Sequence, residues 1–322
     1  MGFNSGADTV VHENFEETVV MKTLKIALDW TPNTNHTGFF VASTLGFYRE
    51  QNLDIEIVSP ASDDYRVTPS KKLELGLVDL AVVPNESLMS LRLKPQPIAV
   101  KAIFTLLRED TSTVVTLKSS GIDRPRKLDG QIYASFGARY EDRIIRQMVI
   151  NDGGLGALRV EYPSKLGIWE TILAGTAHAT WIFKAWEGIE AKTQGVELND
   201  FDLKDYAIPY GYSPLVMAKT DDILSQGAHL KKFVAATRQG YMFAQQHPEK
   251  AVEILTEHVP VRDLERIDLL ESQRYINPFY GVGEDWGRMD AVVFQKFIDW
   301  LFEHCVIEHR LMAPEIFTNV LL

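Results

Sequence analysis

A single cysteine, Cys305, stands among the 322 residues of this chain, which excludes an internal disulfide and a thiolate metal cluster. It falls in the apolar segment WLFEHCVIEH and reads as a small buried hydrophobe, which leaves the redox compartment open. No stretch approaches the roughly 20 apolar residues of a membrane span, and the start of the chain has neither the basic region nor the apolar core of a secretory signal. A basic surplus is also missing. With 33 Lys and Arg against 44 Asp and Glu, the formal charge of -11 argues against nucleic acid or an anionic membrane as partner.

Familiar catalytic patterns are absent as well. There is no G-x-S-x-G, no H-E-x-x-H and no G-x-x-x-x-G-K-[ST], and Gly153, Gly154 and Gly156 follow a helical pattern instead of a strand. His304 and His309 flank Cys305 at a spacing that does not put both on one helix face, so no metal site is expected there. No catalytic residue, cofactor or metal is assigned.

What the chain does contain is enough apolar sequence, 45%, for two modest domains with their own cores. Residues 1–21 read as a polar extension or leader, with Met21 as an alternative start. Read as it stands, the chain is expected to be cytoplasmic; with a signal removed, it would be periplasmic or surface-tethered.

Strands and helices alternate from Lys22 onward: strands at 24–30, 53–58, 77–83 and 97–105, and helices at 37–50, around 67–75 and from Glu86. A second run has strands at 113–117, 131–135, 158–162 and 178–183, with helices at 139–151 and near 165–174. Such alternation predicts parallel sheets covered by helices. After an aromatic segment, Tyr206 to Tyr212, the strand PLVMAKTD leads only into helices, including Ala228–Gln246, one opened by Pro248, and Val292–His304. A helical tail after a return strand suggests that the chain comes back to its first lobe. The expected fold is therefore α/β, two-lobed and periplasmic-binding-protein-like (type II), with a ligand cleft between the lobes. Lobe 1 would hold residues 22–110 and 214–322, and lobe 2 residues 111–213. Two α/β domains in series are the alternative.

The stretch Leu24 to Asn52 is the most informative. Leu24, Ile26 and Leu28 alternate as in a strand, and Trp30 to Thr37 form a polar, aromatic loop. Phe39, Phe40, Leu45 and Phe47 then resume at helical spacing. A loop so placed lies at the carboxyl end of its strand, where open α/β sheets bind small ligands. Trp30 supplies a flat apolar face, and Asn33, Asn35 and His36 supply donors and acceptors; a core-filling Trp30 with turn-holding Asn residues is the alternative.

The order Asp29-Trp30, Pro32, Asn-rich loop, small-residue helix, Leu45-Gly46-Phe47-Tyr48 and Gln51-Asn52-Leu53-Asp54-Ile55 resembles the no-message-in-thiamine family, best from about Lys22 to Thr220. That family includes periplasmic proteins that deliver pyrimidine precursors of thiamine to transporters. It also includes fungal-type enzymes that make hydroxymethylpyrimidine phosphate from pyridoxal phosphate and one of their own histidines. The resemblance implies a small pyrimidine ligand and, in the binding branch, an ABC transporter permease as recipient.

Four further segments are candidates for the cleft. In Ser135-Phe136-Gly137-Ala138-Arg139-Tyr140-Glu141, a strand-to-helix turn offers backbone N–H groups to an anion. Gly137, Arg139 and Tyr140 are its candidate contacts, and a plain helix start is the alternative. The resemblance puts this turn over the cleft. The segment Trp181 to Glu190 carries Trp181, Trp186 and Glu187; in the family's precursor-binding members a similar aromatic-Glu pair meets the aminopyrimidine. A carboxylate beside an indole suits an exocyclic amine and a flat ring. Glu190 reads as a solvated helix face, and Lys184 could face either way. Tyr206, Tyr210 and Tyr212 crowd the second crossing between lobes, with Tyr210 and Tyr212 the expected contacts. Glu86, beside Asn85, ends the third strand as a helix cap or a ligand contact.

Departures from the family separate its branches. The fungal-type enzymes have a lysine and a histidine after the third strand and a cysteine-rich motif after the second lobe. Here Val83 and Ser87 occupy the first two places, no Lys or His occurs from Leu73 to Leu91, and YGYSPLVMAKTD replaces the third. The leading expectation is a non-enzymatic binder of a thiamine-related pyrimidine, of the hydroxymethylpyrimidine or formylaminopyrimidine type. One alternative is a synthase-like enzyme in which Lys184 or His36 would serve as the basic group. Another is a binder of a different aromatic or sulfonate-like solute, in which Arg139 would outweigh Glu187.

Overall fold

A computed structural model describes Met1 and residues 22–163 and 167–322. The expected polar extension therefore lies outside the described residues, apart from Met1.

Among the described residues, ten strands form two five-stranded sheets. The first has the order β2-β1-β3-β10-β4, from β1 (Lys22–Ala27), β2 (Leu53–Val58), β3 (Leu80–Val83), β4 (Val100–Thr105) and β10 (Leu215–Lys219). The second has the order β7-β6-β8-β5-β9, from β5 (Ser112–Leu117), β6 (Ile132–Ala134), β7 (Arg159–Glu161), β8 (Ala179–Phe183) and β9 (Leu198–Phe201). Both sheets are mixed, which corrects the parallel expectation. β10 runs antiparallel to β3 and β4, and β5 runs antiparallel to β8 and β9. Each is the strand by which the chain enters a sheet from the other one, so it starts at the edge where the parallel strands end.

Period-two alternation sorts the strand residues onto two covered faces. In β10, Leu215 and Met217 join a core with Ala81, Val83, Phe294 and Phe297, while Val216 and Ala218 join one with Leu24, Ile26, Phe39 and Phe233. In the second sheet, Val114 packs with Tyr133, Ile144 and Met148, and its neighbour Val115 with Ile168 and Ile182.

The helix expected over 37–50 is broken into Thr37–Thr44 and Phe47–Glu50 by Gly46, whose φ of +83° suits glycine. Helix Thr37–Thr44 crosses helix Gly227–Gln246 very closely. A Cβ on Gly240 would lie 2.0 Å from the Gly38 carbonyl oxygen. The Tyr241 hydroxyl reaches through this crossing to donate to the Asn35 carbonyl at 2.6 Å, fixing the loop after β1.

Three other local expectations change. Residues 168–175 form turns where a helix was expected over 165–174; residues 164–166 lie outside the described residues. Cys305 is exposed, because the helix Ala291–Glu303 ends before it and its φ of +55° reverses the chain. Trp300 and Leu301 before it, and Val306 and Ile307 after it, fill the core instead. Glu190 is buried, 3.5 Å from Arg266, and is no solvated face.

Candidate functional site

The ends of β1, β3, β6 and β8 and the starts of β5 and β10 converge on one cavity of about 130 Å³. Asp29, Trp30, Pro84 and Glu86 line it from the first sheet. Ser112, Phe136, Ala138, Glu141, Trp181, Phe183 and Glu187 line it from the second, and Tyr210 and Ser213 from the segment returning to β10. Trp30 meets Phe136 edge to face across the gap at 5.7 Å, and Trp181 meets Tyr210 at 5.4 Å.

Among the described residues, four carboxyl groups face this space, and none of its lining residues is Lys, Arg or His. Glu86, Glu141 and Glu187 are buried, and burial pushes each up to about 7. Hydrogen bonds oppose that rise. Glu86 accepts from the Tyr210 hydroxyl. Glu141 accepts from the Tyr133 hydroxyl and the Phe136 and Ala138 N–H groups, and Glu187 Oε2 accepts from the Phe183 N–H at 3.0 Å. Such groups take hydrogen bonds from amines or hold a proton against a basic ring nitrogen, and the indoles offer flat faces beside them.

The Glu187 geometry comes from a single π-helical turn, Lys184–Gly188, which opens the short helix Ile189–Thr193. The turn brings Glu187 to the cavity, whereas Trp186 points away and is buried in the core that includes Leu28, Phe40 and Ile267. It packs against helix Leu269–Ile276, where the Ser272 hydroxyl donates to the Ala185 carbonyl. The same hydroxyl lies 2.7 Å from Thr34 Oγ1 in the loop after β1. Ser272 thus ties the turn after β8 to the loop after β1.

Of the residues singled out in the sequence, Trp30, Glu86, Trp181, Glu187 and Tyr210 line the cavity, and eight do not. Asn33 holds the loop: its side chain accepts from the Asn35 N–H at 2.8 Å and donates to the Thr31 carbonyl at 3.0 Å. Asn35 is buried behind it, and His36 is fully buried against Asp29. Gly137 stands in the turn with φ +70°, close to the Tyr162 ring. Arg139 is exposed, its guanidinium 5.8 Å from the Tyr140 ring, and Tyr140 is buried in the core. Tyr212 accepts from the Asp290 N–H at 2.9 Å, and Trp186 is buried as described. Lys184 pairs with Asp202 at 2.6 Å. Sequence reasoning missed Asp29, Ser112, Phe136, Phe183 and Glu141 as lining residues. For the first four the signal was position, since each borders the end or start of a strand that meets the cavity edge, whereas Glu141 opens the helix after β6.

A cleft at the strand ends of two mixed sheets joined by two crossings defines the two-lobed, type II periplasmic-binding-protein fold. The Candida albicans CA3427 gene product, solved with the generic periplasmic binding protein fold, superposes with a TM-score of 0.69 at 16% identity, covering 92% of this chain and 94% of that one. The chain belongs to the NMT1/THI5-like family, whose model matches residues 33–251. It is similar to a formylaminopyrimidine-binding protein of Halalkalibacterium halodurans, 25% identical over 93% of this chain and 91% of that one. A 4-amino-5-hydroxymethyl-2-methylpyrimidine phosphate synthase of Legionella pneumophila is 25% identical over 73% of each chain.

Proposed function

We propose that this protein binds a thiamine-related aminopyrimidine, of the formylaminopyrimidine or hydroxymethylpyrimidine type, in the cavity between its lobes. The observation that carries the reading is a cavity lined, among the described residues, by two indoles and four carboxyl groups and by no basic side chain. Glu187 would accept from the exocyclic amine and share a proton with the ring nitrogen beside it, while Trp30 or Trp181 lies against the ring. Formylaminopyrimidine binding by a relative similar over most of its length supports this choice. The lobes correspond to residues 22–110 with 214–322, and to 111–213. In this reading the protein works outside the cytoplasm and delivers its ligand to an ABC transporter permease for uptake into thiamine synthesis.

The two alternatives find less support in the side chains. A pyridoxal phosphate imine needs an amine at the cleft, but Lys184 pairs with Asp202, and His36 is buried behind Asp29. A sulfonate needs a cation, but Arg139 is exposed outside the lining. The test is a titration with hydroxymethylpyrimidine, formylaminopyrimidine, thiamine and pyridoxal phosphate, followed by tryptophan fluorescence. Saturable binding of a pyrimidine at micromolar or lower concentration is expected. Binding of pyridoxal phosphate alone would replace this reading with the enzymatic one.

A further inference from the structure

The turn after β6 has the local form of an oxyanion site. Three successive N–H groups, those of Phe136, Gly137 and Ala138, lie between a strand end and the 11-residue helix Glu141–Asn151. All three are already taken. Phe136 donates to Glu141 Oε1 at 3.1 Å, Ala138 to Glu141 Oε2 at 3.2 Å, and Gly137 to the Ser135 hydroxyl at 3.0 Å. The Tyr133 hydroxyl donates to Glu141 Oε1 as well, at 2.7 Å. Glu141, 2% exposed, thus places a carboxyl group where a phosphate or sulfonate would dock, and it lines the cavity itself.

The surroundings reinforce that occupation. Glu86 and Glu187 face the same space, and Glu86 is close enough to Glu141 for their charges to interact. An incoming anion would displace a carboxyl group from three donors and then meet two more acids, with no cation among the described lining residues.

We propose that Glu141 is a specificity-determining residue, a built-in carboxyl group that fills the oxyanion position of its own turn and restricts the cavity to neutral or cationic ligands. The inference rests on the reading of this cavity as the ligand site and adds to it which ligand class is refused. Phosphorylated and sulfonated forms of a ligand are rejected, and the unphosphorylated heterocycle is admitted.

The test is calorimetric titration of the full chain with methanesulfonate and with inorganic phosphate at fixed ionic strength, for wild type, Glu141→Ala and Glu141→Gln. Wild type is expected to show no saturable anion binding into the tens of millimolar, and neither anion displaces hydroxymethylpyrimidine. Glu141→Ala frees the Phe136 and Ala138 N–H groups and is expected to bind methanesulfonate at least about tenfold more tightly than wild type. Glu141→Gln preserves the volume and one acceptor, and its gain is expected to be smaller but measurable. Competitive anion binding by wild type overturns the proposal, and so does a folded Ala variant as indifferent to anions as wild type. If the Ala variant does not fold, the wild-type competition and the Gln variant decide. Wild type that binds no pyrimidine while Glu141→Ala gains an anion would remove the proposed ligand and leave the role of Glu141 standing. Wild type that binds both in competition would do the reverse.

Discussion

His36 Nε2 lies 2.7 Å from Asp29 Oδ1, and the histidine holds from behind a carboxylate that faces the cavity. The Asn33 N–H points at His36 Nδ1 at 3.3 Å, which makes Nδ1 the acceptor and leaves the proton on Nε2 to be donated to Asp29. The histidine expected to touch a ligand is therefore a positioning residue, completely buried one layer below.

Replacing His36 by Ala strands both Asp29 and the Asn33 N–H. A loss of about 1–3 kcal/mol in unfolding free energy is expected, with weaker pyrimidine binding although His36 lines no part of the cavity. Denaturant unfolding and calorimetry check this together; unchanged affinity would show that Asp29 needs no support.

Two tryptophans separate ligand contact from packing. Trp30→Ala is expected to weaken pyrimidine binding by about 10–100-fold while changing stability little, since Trp30 is half-buried at the cavity. Trp186→Ala empties a core position and is expected to cost about 3–5 kcal/mol of stability. Equal loss of stability in the two variants would contradict these placements.

A proton held between Glu187 and the ligand makes affinity depend on pH. Above pH 7, where Glu187 gives up its proton, the dissociation constant is expected to rise, approaching about tenfold per pH unit. Glu187→Gln should weaken binding and flatten this dependence. Calorimetry in buffers of different ionisation enthalpy measures the proton directly, and a slope unchanged by the substitution would assign it elsewhere.

Stability without ligand follows the same acids. Glu86, Glu141 and Glu187 rise on folding from 4.5 to about 7, so folding takes up protons. Their stabilising contribution is complete below about pH 4.5 and is lost as pH rises through 7. The melting temperature of the ligand-free protein is expected to fall between pH 5 and pH 8, and Glu187→Gln should reduce the fall. A melting temperature that rises over this interval would count against the burial of these groups.

Much of this architecture was legible in the sequence, and the failures have physical causes. Period-two alternation at Leu24, Ile26 and Leu28 and the helical pattern of 228–246 reveal their elements directly, because burial on one face writes itself into the residue order. β9, Leu198–Phe201, was invisible: a four-residue edge strand with polar Asn199 and Asp200 has no apolar alternation, and only pairing with β5 makes it a strand. Strand direction was equally hidden, since β5 and β10 are antiparallel for reasons of connection. At the site, the Trp186-Glu187 pair parts because adjacent residues on a helical turn point about 100° away from each other, so only one of the two can face the cavity. Glu141 escaped notice for a different reason, as an acidic residue opening a helix is ordinary in sequence.

The place of β10 between β3 and β4 has a consequence for synthesis of the chain. The nascent polypeptide cannot complete its first sheet when β4 emerges, because β10, the strand that joins β4 to β3, is still 110 residues from being made. All five strands of the second sheet, by contrast, are available once Phe201 has left the ribosome. The lobe that begins first is therefore finished last, and until Lys219 appears β3 and β4 each present an unpaired apolar edge to the cell.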